Sequence, residues 1–394
     1  MREVTILGST GSIGTQSLEV IRDAGEDYRV RALAAGGSNI SELAQQVLDF
    51  APDTVALSRP TAVQDLQLAL YAKARDRGWN AGQTRLPKIV AGPEAVTELA
   101  AQSDGVVLNA ITGAAGLSAT MATLSAGATL ALANKESLVI GGHLVTDAAA
   151  EGQLVAVDSE HSAIAQCLRA GRADEVDKVI LTASGGPFRG RTRDQLTDVT
   201  PEQAAAHPTW NMGRVITINS ATLINKGLEL LEAGLLYGVD LDRIEAVVHP
   251  QSVVHSMVQF IDGSTIAQCS PPDMKLPIAL ALDWPNRLAG AANPCDWTKA
   301  TRWTFEPLDE EAFPAVQLAR TVGEAGGTAP AVYNAANEVC VDAFCAGRLG
   351  FLDIVDTVTE VVAEHDTVPD SQITIEAVLE ADRWARRRAG EITG

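Results

Sequence analysis

Positive charge is scarce in this chain: thirty Lys and Arg stand against fifty Asp and Glu, a formal net charge of −20 over 394 residues. Such a field repels nucleic-acid backbones and anionic membranes, so neither is expected as a partner. It also means that an anionic ligand needs local positive charge, which draws attention to lysines and metals inside a site. Long hydrophobic runs are missing too, since none approaches the ~20 residues that span a bilayer. The five cysteines, at 167, 269, 295, 340 and 345, form no C-x-x-C pair. An odd number without framework spacing predicts reduced thiols and a cytoplasmic protein. Aromatics are few, 4% against 46% hydrophobic residues, which fits an Ala/Val/Leu-rich α/β chain rather than a disordered or fibrous one. A strand begins at Val4-Thr5-Ile6-Leu7, so no signal or transit peptide is expected.

The length predicts two or three domains. Residues 1–150 alternate apolar strands (3–8, 29–34, 54–57, 88–91, 105–109, 128–132) with helical patterns (14–24, 40–50, 60–76, 93–102). That alternation predicts an N-terminal, Rossmann-like parallel sheet with right-handed crossovers. From 151 to 285 the segments lengthen, and strands at 177–183, 244–248 and 253–260 suggest a central α/β domain with a mixed sheet. Residues 286–310, with Pro294, Pro307, Trp297 and Trp303, read as a linker. From 311 to 394 the periodicity is that of a helical bundle, in which Pro330 can open one helix and Gly350 can follow its end.

Gly8-Ser9-Thr10-Gly11-Ser12-Ile13-Gly14 follows the first strand and opens a helix. Glycines there allow a tight turn and close approach of a pyrophosphate to helix N-terminal amides. A Gly-rich turn also serves plain packing, but its place in the first βα unit favours a dinucleotide. The second strand ends in Ala34-Ala35-Gly36-Gly37-Ser38-Asn39 without the Asp or Glu that would select the ribose 2′-hydroxyl of NAD. NADPH is therefore expected, with Arg59 as the candidate partner of its 2′-phosphate. Ala133-Asn134-Lys135-Glu136-Ser137 follows another strand at its carboxyl end, where a lysine can serve cofactor and substrate or form an ordinary charge pair.

Asp158-Ser159-Glu160-His161 closes the apolar run Leu154–Val157. If the extension continues, Asp158 and Glu160 share one face and Ser159 the other. Two convergent carboxylates imply a cation or proton between them, unless the quartet is simply a solvated acidic turn. Further on, Asn219-Ser220-Ala221-Thr222 reads as the cap of a helix reaching Ala233. On it Asn225, Lys226 and Glu229 fall within roughly a 100° arc. Asn225, Lys226 and Ser220 suit a phosphate monoester, leaving Glu229 for a divalent ion; a surface Lys–Glu pair is the plain alternative. Ser184-Gly185-Gly186-Pro187-Phe188 begins a segment that ends at Gly213 and reads as a lid over 184–213, with Trp210 and Met212 as its apolar cover. His249 and His255, taken singly, read as satisfied core or interface histidines.

These motifs together resemble the 1-deoxy-D-xylulose 5-phosphate reductoisomerase family nearly end to end: GSTGSIG at 8–14, ANKES at 133–137, DSEH at 158–161, SGGPF at 184–188, HPTWNMG at 207–213, NSATLINKGLELLEA at 219–233 and HPQSVVHSMV at 249–258. The resemblance implies a homodimeric, NADPH-dependent enzyme that rearranges and reduces a sugar phosphate in the non-mevalonate isoprenoid pathway. It implies a divalent ion (Mg²⁺, Mn²⁺ or Co²⁺) held by Asp158, Glu160 and Glu229. It implies substrate contacts from Lys135, Ser159, Glu160, Ser184, His207, Trp210, Met212, Ser220, Asn225, Lys226, Glu229 and His255. Thr10, Gly11, Ser12, Ile13, Asn134, Glu136 and Gly213 fall to NADPH, with Gly36, Gly37, Ser38 and Asn39 beside them. Lys135, Asp158, Glu160, Glu229 and His161 are the catalytic candidates, His161 as a support or as a proton carrier. The pattern departs at Gly37-Ser38, where family members often carry a basic residue. Two rivals stand beside this reading: a metal-free reductase using Cys167 or Cys269, and a noncatalytic NADPH sensor.

Overall fold

The computed structural model describes residues 1–79, 86–210 and 212–394. Seven short strands, β1 (Arg2–Leu7), β2 (Tyr28–Ala35), β3 (Thr54–Leu57), β4 (Lys88–Ala91), β5 (Val106–Asn109), β6 (Thr129–Leu132) and β7 (Leu154–Ala156), form one sheet in the order β4-β3-β2-β1-β5-β6-β7. Every pairing in it is parallel. Parallel strands covered on both faces need continuous apolar runs, and Val106, Val107, Leu108, Leu130, Ala131 and Leu132 are accordingly buried. The strand order reverses direction at β1 and β5, the switch point at which doubly wound sheets bind their ligands. The expected α/β class and parallel N-terminal sheet are borne out.

Five further strands, β8 (Val176–Ala183), β9 (Ile244–Val248), β10 (Val254–Phe260), β11 (Thr265–Cys269) and β12 (Glu306–Pro307), make a mixed sheet in the order β11-β10-β8-β9-β12. Only β8 and β9 pair parallel; the rest are antiparallel. Residues 306–307, expected in a linker, instead pair with β9. Gly350 does not follow a helix but caps the start of Phe351–Glu364, and Gly347, at φ 71°, closes the preceding helix Ala329–Cys345. Pro330 stands in the first turn of that helix, as its fixed φ allows.

The chain folds into two compact units. The first comprises Met1–Ser137, Asp147–Asp158 and Met274–Ala292, and the second Leu138–Thr146, Ser159–Asp273 and Asn293–Gly394. The parallel sheet thus takes in β7, beyond residue 150. The first unit also recovers the helix Lys275–Asp283, whose Ile278, Ala279, Ala281 and Leu282 enter its core. In the second unit one apolar core joins the mixed sheet to the C-terminal helices, with Val179, Leu228, Tyr333, Phe344 and Val358 in a single cluster.

Candidate active site

In the first unit the chain leaves β1 through Gly8, at φ 85°, and enters the helix Ser12–Ala24. A Cβ on Gly14 would lie 2.4 Å from the Gly8 carbonyl oxygen, so this crossing requires glycine. No side chain caps the helix, and Gly11 and Ser12 are exposed, which leaves first-turn amides able to meet an anion. At the next βα turn Arg59 Nε donates to the Gly36 carbonyl at 2.8 Å. The guanidinium is thereby held against the Gly36–Asn39 turn, where Ser38 and Asn39 are exposed. Asn39 spends its side chain capping the helix Ile40–Phe50, accepting from the Glu42 amide at 3.2 Å. Asn134 is buried and internally committed: its amide donates to the Gly113 carbonyl at 2.9 Å, and its oxygen accepts from the Ser137 amide and hydroxyl, each at 2.6 Å. Lys135, beginning the helix Lys135–Gly141, pairs with Asp158 at 2.5 Å.

Extension does not continue through the acidic quartet. β7 stops at Ala156 and a helix, Ser159–Leu168, begins at Ser159. Strand alternation therefore does not govern Glu160; helical geometry does, and it sets Glu160 in the first turn. Ser159 donates its hydroxyl to Glu160 at 2.5 Å. The expected helix from Asn219 is also two helices, Arg214–Thr222 and Ile224–Tyr237, separated by Leu223 in the left-handed region at φ 62°. Ser220 thus lies in the last turn of the first helix rather than capping the second.

From Ile224–Tyr237, Lys226 reaches back to Glu160 at 2.9 Å and also pairs with Glu229, while Asn225 donates to Glu229 at 2.5 Å. Lys226 is 3% exposed and Glu229 1%. Burial would lower the Lys226 pKa, but the Glu160 and Glu229 carboxylates outweigh it and the value is raised, so the ammonium persists. Two carboxylates against one ammonium leave a negative charge in excess among oxygen donors that suit a hard divalent cation. The surface-pair alternative for Lys226 and Glu229 is excluded by this burial. His161 is wholly buried beside them, between the Glu229 main-chain oxygen at 2.9 Å and Glu232 at 3.3 Å. Glu232 was absent from the sequence-derived set, though its place one helical turn beyond Glu229 marks a shared face.

Near the end of β8, His207 Nε2 lies 3.0 Å from Ser184 Oγ. His207 Nδ1 accepts from the amides of Thr209, at 3.2 Å, and Trp210, at 2.9 Å, so Nε2 carries the ring proton and donates it to Ser184. Ser184 Oγ also accepts from the Gly186 amide at 3.2 Å. With two hydrogen bonds accepted, the hydroxyl proton is left to donate outward. Trp210 lies 6.3 Å from the His255 ring, and His255 bonds Ser270 at 3.0 Å. His249 bonds the Thr304 carbonyl and the Val253 amide, a structural histidine. Of the expected lid, Phe188, Leu196, Val199 and Ala204 are core residues and Arg193 pairs with Asp356 at 2.6 Å, so the middle of the segment is anchored. Gly185 and Gly186 serve close packing against Val248 and the Ser220 carbonyl. Asn211 lies outside the described residues.

Burial lowers the His207 pKa. Its folded value is depressed, so the contribution of the neutral ring to the 207–210 turn is whole above the ordinary value of about 6.5 and is lost as pH falls from there through the folded value. Acidification from about pH 7 to pH 5 is therefore expected to change the Trp210 fluorescence, read against Trp210→Phe. A profile unaltered by His207→Asn would contradict this.

Burial also pushes the Cys167 thiol up to about 11 and raises Cys269, which leaves neither a ready nucleophile and removes the support for a cysteine-dependent reductase.

Comparison with known proteins gives one consistent result. Residues 4–142 match the family model for 1-deoxy-D-xylulose 5-phosphate reductoisomerase, 154–237 its C-terminal domain, and 269–388 the DXP reductoisomerase C-terminal domain. The reductoisomerase of Cutibacterium acnes is 63% identical over 403 residues, covering 100% of this chain and 98% of its own. That of Kitasatospora griseola is 58% identical over 391 residues, covering 99% of each. Among solved structures, the Zymomonas mobilis reductoisomerase in complex with NADPH matches with a TM-score of 0.89 and 42% identity, covering 100% of this chain and 99% of that one. A DOX-P reductoisomerase in complex with NADPH, fosmidomycin and magnesium matches with a TM-score of 0.89 and 35% identity, covering 100% and 98%. The chain belongs to the 1-deoxy-D-xylulose 5-phosphate reductoisomerase family.

Proposed function

We propose that the chain converts 1-deoxy-D-xylulose 5-phosphate to 2-C-methyl-D-erythritol 4-phosphate with NADPH and a divalent cation, on the route to isoprenoid precursors. The observation that carries the reading is the convergence of Glu160 on the buried pair Lys226 and Glu229, with Asn225 on the same helix. Glu160 and Glu229, with Asp158 two residues before Glu160 in the chain, are the ligands assigned to the cation. When bound, the cation polarises the hydroxy-ketone oxygens and NADPH supplies the hydride.

The chain's own residues do the rest. Lys226 and Asn225 offer charge and an amide to the substrate phosphate, and Ser220 adds a hydroxyl from the preceding helix. Ser184 donates its free hydroxyl proton in the same role, with His207 fixing its direction. Lys135 and Ser159 are assigned to the substrate's polar carbons, and Trp210, Met212 and His255 to its cover. Thr10, Gly11, Ser12 and Ile13 hold the NADPH pyrophosphate at the helix start, with Glu136 and Gly213 also assigned to the cofactor. Asn134, whose side chain is committed internally, has only its main chain to offer. His161, being wholly buried, supports the ligands and does not carry protons to substrate. A cytoplasmic location belongs to the same reading, supported by the five free cysteines. So does a homodimer: β11 is an edge strand with Ile266 exposed and Ile261 just before it, an edge that favours pairing. Light scattering should give twice the chain mass, and a monomer would refute this part.

NADPH oxidation followed at 340 nm is expected only with both the deoxyxylulose phosphate and Mg²⁺ or Mn²⁺, and full activity in EDTA would overturn the reading. A ligand carboxylate contributes several kcal/mol to the transition state and each ~1.4 kcal/mol is tenfold. Glu229→Gln should accordingly lower kcat on the order of 100-fold or more while NADPH binding survives. Arg59→Ala should weaken NADPH about tenfold, the loss of one charged hydrogen bond, and leave NADH unaffected. Unchanged NADPH affinity would free Arg59 of that role.

A further inference from the structure

We infer that Glu232, acting through His161, is a positioning residue that holds Glu160 and Glu229 in register for the cation. The inference rests on the ligand roles assigned above and adds a residue outside that ligand set.

The geometry is directional. A carbonyl only accepts, so the 2.9 Å contact between His161 Nε2 and the Glu229 main-chain oxygen commits Nε2 as donor. That leaves Nδ1 facing Glu232 Oε2 at 3.3 Å, with both side chains 0% exposed. The two groups stand within ion-pair distance of each other. A ring held at Nε2 alone can swing about that contact; the Glu232 carboxylate beside Nδ1 restricts its plane. Tyr237 completes the fastening, donating its hydroxyl to the His161 carbonyl at 2.5 Å, with its ring 13° from parallel to the imidazole.

Glu229, Glu232 and Tyr237 occupy successive turns of Ile224–Tyr237, and all three bind one residue in the first turn of Ser159–Leu168. That residue directly follows Glu160. The fastening therefore sets where the Glu160 and Glu229 carboxylates stand relative to each other, and a cation is sensitive to such placement. Partners that orient metal ligands are typically worth about 10–100-fold in metal affinity.

The test is Mn²⁺ affinity, read by electron paramagnetic resonance of free Mn²⁺ on the full chain, with NADPH affinity as the control for an intact fold. Glu232→Met keeps the volume and removes the carboxylate contact; it should weaken Mn²⁺ about 10–100-fold with NADPH affinity unchanged. Glu232→Gln keeps a hydrogen-bonding partner for Nδ1 and should restore most of the loss. His161→Gln retains the Glu229 contact through its own Nε2 but gives up Glu232, so it makes the same prediction if Glu232→Met does not fold. The double variant Glu232→Met/His161→Gln should be no weaker than the worse single one, because both remove the same contact. Wild-type Mn²⁺ affinity in either folded single variant, or additive losses in the double, overturns the inference alone. If the wild-type chain binds no Mn²⁺, the ligand assignment falls and this inference with it.

Discussion

The second unit is organised around one buried cation of its own, the Lys226 ammonium. An ammonium removed from water at this depth costs several kcal/mol unless carboxylates meet it with good geometry. Glu160 and Glu229 do so from two different helices. The helix Ile224–Tyr237 must therefore lie in register against Ser159–Leu168, and the left-handed turn at Leu223 must aim it there. The His161 contacts fasten the same two helices from within the core. A chain carrying a formal charge of −20 thus keeps one positive charge buried here, held between two carboxylates.

The first unit solves a different problem with different means. It brings an anion to main-chain amides rather than to side chains, and glycine is what allows the approach. Gly14 is required because the Gly8 carbonyl sits where a Cβ would be. Arg59 supplies, from the following βα turn, the positive charge that the Gly36–Asn39 turn itself lacks. Lys135 and Asp158 form a neutral pair, unlike the acidic surplus around Lys226. The charge excess is therefore local, and it coincides with the residues assigned to the cation.

Much of this was legible in the order of residue types. Parallel-sheet strands announce themselves as β-branched and apolar runs, because burial on both faces leaves no polar alternation to confuse them. The polar motifs at their carboxyl ends could be marked as ligand positions for the same reason. What misled was extrapolating a local pattern past its end. Asp158 and Glu160 looked like alternating strand positions, yet the strand had already stopped and Ser159 opens a helix. Ser220 looked like a helix cap, yet Leu223 adopts a left-handed conformation that no propensity favours in a leucine, and the break falls three residues later. The segment 184–213 looked like one long lid, but burial of Phe188, Leu196 and Val199 ties down its middle.

The sequence by itself determined the class of sheet, the glycine turn, the absence of an acid after β2 and the set of carboxylates, amides and lysines available for chemistry. These follow from composition and short-range periodicity, which depend only on neighbours in the chain. Tertiary structure alone decided which of those groups meet. It buried Lys226 between two carboxylates, turned His161 into the core, and brought in Glu232, whose spacing is that of any helical glutamate. Contacts between helices more than sixty residues apart depend on packing and register, and no local pattern encodes them.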